Sequence, residues 1–175
     1  LAEAARGHGR VVALTGEAGA GKTTLVEAFI GAVAKGTRLF RSACEDLSIP
    51  DTLGPLYDLA REARWALPQA IDVRQGQRLP LFSDALDVFE TEAQPTLLVI
   101  EDLHWADDAT LDFVRFLGRR ISNTHILLLL TARTDRSEGQ MRVRRALGEI
   151  PASSVARIDV PLLSDAAVQS LADAA

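Results

Sequence analysis

The chain has 175 residues, 47% of them hydrophobic and 25% charged, and a formal net charge of −5. That balance suits one folded domain with a real core and is not that of a disordered chain, and the acidic total excludes a polyanion binder acting through overall charge. The single cysteine, Cys44, rules out an internal disulfide, and aliphatic runs such as Ile126 to Leu130 fall far short of the about 20 residues that span a bilayer, so we expect a cytoplasmic protein with no membrane partner.

Arg10 to Thr15 (Arg-Val-Val-Ala-Leu-Thr) reads as a first strand, and Leu25, Ala28, Phe29, Ala32 and Val33 recur at helical spacing after it. Between them lies Gly16-Glu17-Ala18-Gly19-Ala20-Gly21-Lys22-Thr23, followed by Thr24, which fits the phosphate-binding pattern G-x-x-x-x-G-K-[ST]. Three glycines let the backbone curl so that its amides point inward at a polyphosphate. Lys22 brings a point charge to the β and γ phosphates, and Thr23 offers a hydroxyl to Mg2+. The helix start adds amide donors and the positive end of its dipole. With 12 glycines and 2 lysines in the chain, a chance match is expected in roughly one such chain in a thousand. Seventeen of the 19 basic residues are arginine, so a lysine inside the loop is not background.

Lys35-Gly36 stops the first helix, and Thr37 to Ser42 reads as a second strand with Cys44 as a small apolar filler at its end. Residues 44 to 55 read as loop. Pro55 opens a helix marked by Leu56, Leu59, Ala60 and Ala63; residues 67 to 78 form a connection; Phe82, Ala85, Leu86 and Phe89 mark the next helix. Thr96 to Ile100 is apolar without alternation, the mark of a strand covered on both faces. Asp107 or Asp108 caps a helix running to about Gly118, Thr124 to Thr131 is another apolar strand, and a basic helix follows with Val143, Leu147 and Ile150 on one side. Val155 to Val160 is the last strand, and Ser164 caps a helix whose face carries Val168 and Leu171. Alternating strands and helices predict a three-layer α/β fold with a mostly parallel, five-stranded sheet and right-handed crossovers.

Glu101-Asp102 ends the buried strand where α/β sheets place their ligands. One carboxylate of such a pair holds magnesium, directly or through water, and the other orients or deprotonates an attacking water. His104 and Trp105 read as packing behind that turn, and Trp65, His8 and His125 carry no assigned role. Arg142, Arg144 and Arg145 read as a solvated helix face, with an arginine finger offered in trans or a nucleic-acid contact as the alternatives.

Residues 16 to 25 together with Leu-Leu-Val-Ile-Glu-Asp-Leu-His-Trp-Ala-Asp, residues 97 to 107, resemble the AAA-type, origin-recognition-like P-loop ATPase domain of large ATP-binding LuxR-family transcriptional regulators, close to the STAND signalling ATPases. The resemblance implies Lys22 and Thr23 as Walker A, Glu101 and Asp102 as Walker B, and Arg133 as a sensor arginine facing the γ phosphate. It also implies ATP and Mg2+ as ligands, DNA contact only through other domains, and nucleotide-dependent self-association. Relatives of the wider superfamily often begin the Walker B pair with Asp, where this chain has Glu101. The expectation is one ATPase core over residues 1 to 175, cut from a longer regulator. An adenine-holding segment would then lie before Leu1, the lid helix would begin at 164 to 175, and the isolated piece would bind nucleotide weakly. The rival readings are a small-molecule phosphotransferase, with Arg74 and Arg78 as lid arginines, a non-enzymatic scaffold whose nucleotide is structural, and a signalling ATPase attached to a kinase or cyclase domain.

Overall fold

The computed structural model describes residues 1–33, 35–46, 52–67, 78–91, 94–134 and 138–164, with residues 167 and 169 beyond them. Five strands form its sheet: β1 (Arg10–Gly16), β2 (Arg38–Ala43), β3 (Thr96–Glu101), β4 (Ile126–Arg133) and β5 (Val155–Asp159). They lie in the order β2-β3-β4-β1-β5, and every pairing is parallel. The expected mostly parallel sheet is therefore wholly parallel.

Parallel neighbours need crossovers, and among the described residues five helices supply them: α1 (Lys22–Ala32), α2 (Gly54–Glu62), α3 (Arg78–Phe89), α4 (Asp108–Arg120) and α5 (Glu138–Gly148). Side chains alternate along each strand, which splits the core into two layers. Leu14, Leu97, Val99, Leu127 and Leu129 pack with Val26 of α1, while Leu98, Ile100, Leu128 and Leu130 pack with α2, α3, α4 and α5. The run Thr96 to Ile100 has no polar alternation because both its faces are covered; all of β3 is buried. From β1 the chain crosses to the β2 edge under α1, and it returns through β3 and β4 with its helices on the opposite face. The reversal falls between β1 and β4, and a crevice at the carboxyl ends of the strands is the outcome.

Element ends differ from the sequence reading where a turn intervenes. Thr124 does not begin β4. It closes a 3-10 turn at Ile121–Asn123, donating its hydroxyl to Ile121 O at 2.7 Å, and the strand instead extends to Arg133 to pair with Gly16. Ile150 lies past α5 but is buried against Gly118 of α4. Of the two aspartates, Asp107 is the cap of α4. β5 is an edge strand with half-exposed and exposed residues throughout, so it lacks the apolar signature of β3 and β4. Ser164 Oγ accepts from Ala167 N at 3.3 Å, as a cap does, while Val168 and Leu171 lie outside the described residues.

Candidate nucleotide site

β1 delivers the glycine loop. Gly19 and Gly21 have φ of 77° and 87°, a left-handed conformation that a Cβ strains, although a Cβ at either position would meet nothing within 4 Å. Gly16 is glycine for another reason: a Cβ there would fall 2.5 Å from Val160 O. The helix begins at Lys22 with Gly21 as N-cap, so the first turn has no capping side chain, and Thr23 and Thr24 are exposed. Buried Lys22 donates from Nζ to Gly16 O at 2.9 Å and to Glu17 O at 2.8 Å. The ammonium thus lies inside the curl of the loop, the position from which the charge of a bound polyphosphate would be met.

The acidic turn lies on the same sheet edge, one strand beyond β4. Glu101 ends β3, buried, and alternation puts it on the α1 side. Its Oε1 accepts from Arg41 of β2 at 2.7 Å to Nε and 2.5 Å to Nη2, while Arg41 also lies 3.8 Å from Glu27 of α1. Asp102 follows with φ 53° and ψ 41°, a left-handed turn that aspartate tolerates better than most residues. Its amide donates to Thr131 Oγ1 of β4 at 2.9 Å, and its side chain is 44% exposed. A 3-10 turn at Leu103–Trp105 then leads into α4. His104 is buried beneath α5 with Nδ1 3.9 Å from Asp102 Oδ1 and stacks at 4.8 Å on Trp105, so both rings pack behind the turn as expected.

β4 joins the two halves. Gly16 pairs with Arg133 across the sheet, and Thr134 N donates to Gly16 O at 3.2 Å. The Arg133 guanidinium lies over the Trp105 ring at 5.8 Å. Gly16 to Thr24, Glu101, Asp102 and Arg133 thus gather at the carboxyl ends of the adjacent strands β3, β4 and β1. Other residues named from the sequence lie elsewhere. Arg78 pairs with Asp112 at 3.1 Å, Arg142 with Asp108 at 3.2 Å and Arg145 with Glu149 at 3.6 Å. Arg144 and His8 are exposed, Trp65 packs on the larger core layer, and His125 is held by Glu90 at 2.8 Å near the other end of the strands. Arg74 lies outside the described residues.

Three residues shape the turn, and of these sequence reasoning singled out only Asp107, as a candidate helix cap. Arg41 holds Glu101, Thr131 holds Asp102, and Asp107 accepts from Ala109 N at 2.9 Å, Thr110 N at 3.2 Å and Leu53 N at 3.2 Å. Thr131 had a signal, a lone hydroxyl ending the run Ile126 to Leu130; Arg41 had none. Burial first, then the charges of Asp107 and Asp102, push the Cys44 thiol up to about 12, which keeps it protonated and inert beside the site. Among the described residues no cluster of three or more His, Cys, Asp or Glu could hold a metal alone. Mg2+ bound with a nucleotide needs only one or two carboxylates, since phosphate oxygens and water complete its shell, and Thr23 with Glu101 and Asp102 fits that donor set.

The fold is shared with known proteins that the chain is similar to. The Aeropyrum pernix ORC2 protein, solved as ADPNP-ADP complexes, superposes with a TM-score of 0.64 at 17% identity, over 98% of this chain and 47% of that one. Cdc6p from Pyrobaculum aerophilum gives 0.56 at 15% identity, over 86% and 39%. Drosophila ORC bound to DNA gives 0.59 at 16% identity, over 96% and 42%. This chain spans less than half the length of each, and at such identities the likeness is one of fold. No curated protein matches the sequence. Among the described residues no helix is long and apolar enough to cross a membrane. A family profile described as AAA ATPase domain does match, over residues 1–130. Because that match is to sequence, and runs from the phosphate loop through the acidic turn into β4, it reaches further than shared architecture: the chain belongs to the AAA ATPase domain family, as a nucleotide-binding ATPase core.

Proposed function

We propose that this domain binds Mg2+-ATP, hydrolyses it slowly, and acts as a nucleotide-dependent switch within a LuxR-family transcriptional regulator of the STAND type. The observation that carries the reading is the junction made by β4, with the glycine loop on one side and the acidic turn on the other. In this reading Lys22 and the amides of residues 16 to 24 hold the phosphates, and Thr23 and Glu101, on the side of the sheet that α1 covers, hold the magnesium. Asp102, with its exposed carboxylate, orients the attacking water. Arg133 leaves Trp105 for the γ phosphate. A cation–π contact at a half-exposed site contributes about 0.5–1 kcal/mol, less than a charge-assisted guanidinium–phosphate pair, so triphosphate draws the side chain over and diphosphate releases it. That difference between nucleotide states is what a switch requires. DNA binding belongs to other domains of the regulator, in the cytoplasm, and self-association follows the nucleotide state. The phosphotransferase rival loses support, because Arg78 is engaged with Asp112 on the outer helical surface.

The test is a pair of variants. Lys22→Ala should abolish binding of a fluorescent ATP analogue, while Asp102→Asn should retain binding and lose multiple-turnover phosphate release. Hydrolysis surviving in both defeats the site assignment. Phosphate release that requires an added metabolite favours a phosphotransferase. DNA binding by the full-length protein that is indifferent to ATP and ADP removes the switch.

A further inference from the structure

On the outside of the helical layer opposite α1, helices α3, α4 and α5 enclose a groove of about 540 Å³. Five arginines line it, Arg78, Arg115, Arg119, Arg120 and Arg145, against two carboxylates, Asp112 and Glu149, on a chain whose net charge is −5. Glu149 is shared by Arg115 at 3.3 Å, Arg119 at 3.6 Å and Arg145 at 3.6 Å. Asp112 is shared by Arg78 at 3.1 Å and by Arg115. Arg119 also donates from Nε to Glu149 O at 3.1 Å and Arg120 to Phe116 O at 3.4 Å, yet five guanidinium groups against two carboxylates leave the groove with a net positive charge. Arg119 and Arg145 reach well into solvent, with side chains 54% and 82% exposed. An apolar side chain, Leu79, also lines the groove and is well exposed.

We propose that this groove docks an acidic, amphipathic segment of a partner protein, whose carboxylates meet Arg119 and Arg145 and whose aliphatic side chains cover Leu79. Arginine suits this role because its planar fork accepts a carboxylate in two parallel hydrogen bonds. A nucleic acid fits less well. Single strands are gripped by stacking bases on open rings, but Phe82 and Phe116 are buried, and the Arg120 guanidinium covers Phe116 at 3.9 Å from the ring centroid. Asp112 and Glu149 stand within the groove and repel a backbone charged at every step, whereas a peptide can set an uncharged residue opposite them. The groove is carried on the later turns of α4 and α5, whereas their first turns lie beside the acidic turn and the end of β4. Docking therefore leaves the phosphate loop open.

Fluorescence anisotropy on the whole chain tests this with two labelled probes, a peptide of Glu and Leu at amphipathic helical spacing and a single-stranded oligonucleotide of equal charge. The peptide should bind the wild-type chain more tightly than the oligonucleotide, and at least about tenfold more tightly than it binds Arg119→Glu/Arg145→Glu. Arg119→Gln/Arg145→Gln, which adds no repulsion, should fall between. Arg61→Glu, an exposed arginine of α2 outside the groove, should bind the peptide like wild type, and all variants should bind a fluorescent ATP analogue equally. Absence of peptide binding, tighter binding of the oligonucleotide, or an equal loss in Arg61→Glu would each overturn the proposal.

Discussion

Cys44 lies one residue past β2, its amide donating to Glu101 O at 2.9 Å, so its thiol is locked at the strand edge close to Asp102 and Asp107. Burial and those two negative charges raise its pKa from 9.0 to about 12. Between these values the unfolded chain releases the thiol proton and the folded chain keeps it, so the stability this thiol contributes is whole below about 9 and is lost as pH rises toward 12. Denaturant melts across that window should show a shallower fall for Cys44→Ala than for wild type, and native Cys44 should resist alkylation at pH 8 until the chain is unfolded. Parallel curves for the two proteins would mean that the thiolate is already formed in the native state. Glu101 and Asp102 are adjacent in sequence yet differ for similarly local reasons. One is buried and fixed by Arg41, while the other turns left-handed with its carboxylate half in solvent. Two carboxylates in such different surroundings can divide metal binding and water activation between them.

α4 begins where the acidic turn ends, and its cap does more than finish a helix. Asp107 satisfies two amides of the first turn and the Thr110 hydroxyl, and it also accepts from Leu53 at the start of α2. Asp107→Ala should therefore cost about 1–2 kcal/mol in urea denaturation, toward the upper end for a cap because a second element is released. α5 presses on the same turn from the other side. A Cβ on Gly139 would lie 2.1 Å from His104 O, a backbone atom that cannot swing away. Gly139→Ala should displace the Leu103–Trp105 turn and with it Asp102, lowering phosphate release several-fold while leaving nucleotide binding close to wild type. A variant with full turnover would show that α5, not the turn, yields to the added methyl.

Across the whole molecule, the site is a seam between strands that come from distant parts of the chain. Gly16 at the end of β1 pairs with Arg133 at the end of β4, and Glu101 at the end of β3 pairs with Ala43 of β2, so a ligand gripping Gly16, Arg133 and Glu101 ties three strand ends together. Nucleotide that binds only the folded chain should stabilise it by about 2.7 kcal/mol at a hundred times its Kd, seen as a rise in melting temperature that Lys22→Ala abolishes. A rise that persists in Lys22→Ala would place the nucleotide elsewhere.

The sequence by itself determined the elements with strong local causes. A loop needing left-handed glycines before a helix can be read directly, and so can apolar runs such as Thr96 to Ile100 and Ile126 to Leu130, because strands covered on both faces carry no polar alternation. With the strand–loop–helix order of the first 33 residues, these made the α/β class and the acidic pair legible. Only the tertiary structure decided what depends on residues far apart in the chain. Arg41 reaches Glu101 across sixty residues, Thr131 rather than a charged side chain holds Asp102, Arg133 rests on Trp105, and five scattered arginines converge on one groove. A single arginine on a short strand looks the same in sequence whether it faces water or a buried carboxylate. The strand order settles which, since crossovers place β2 beside β3 and bring their side chains to one face.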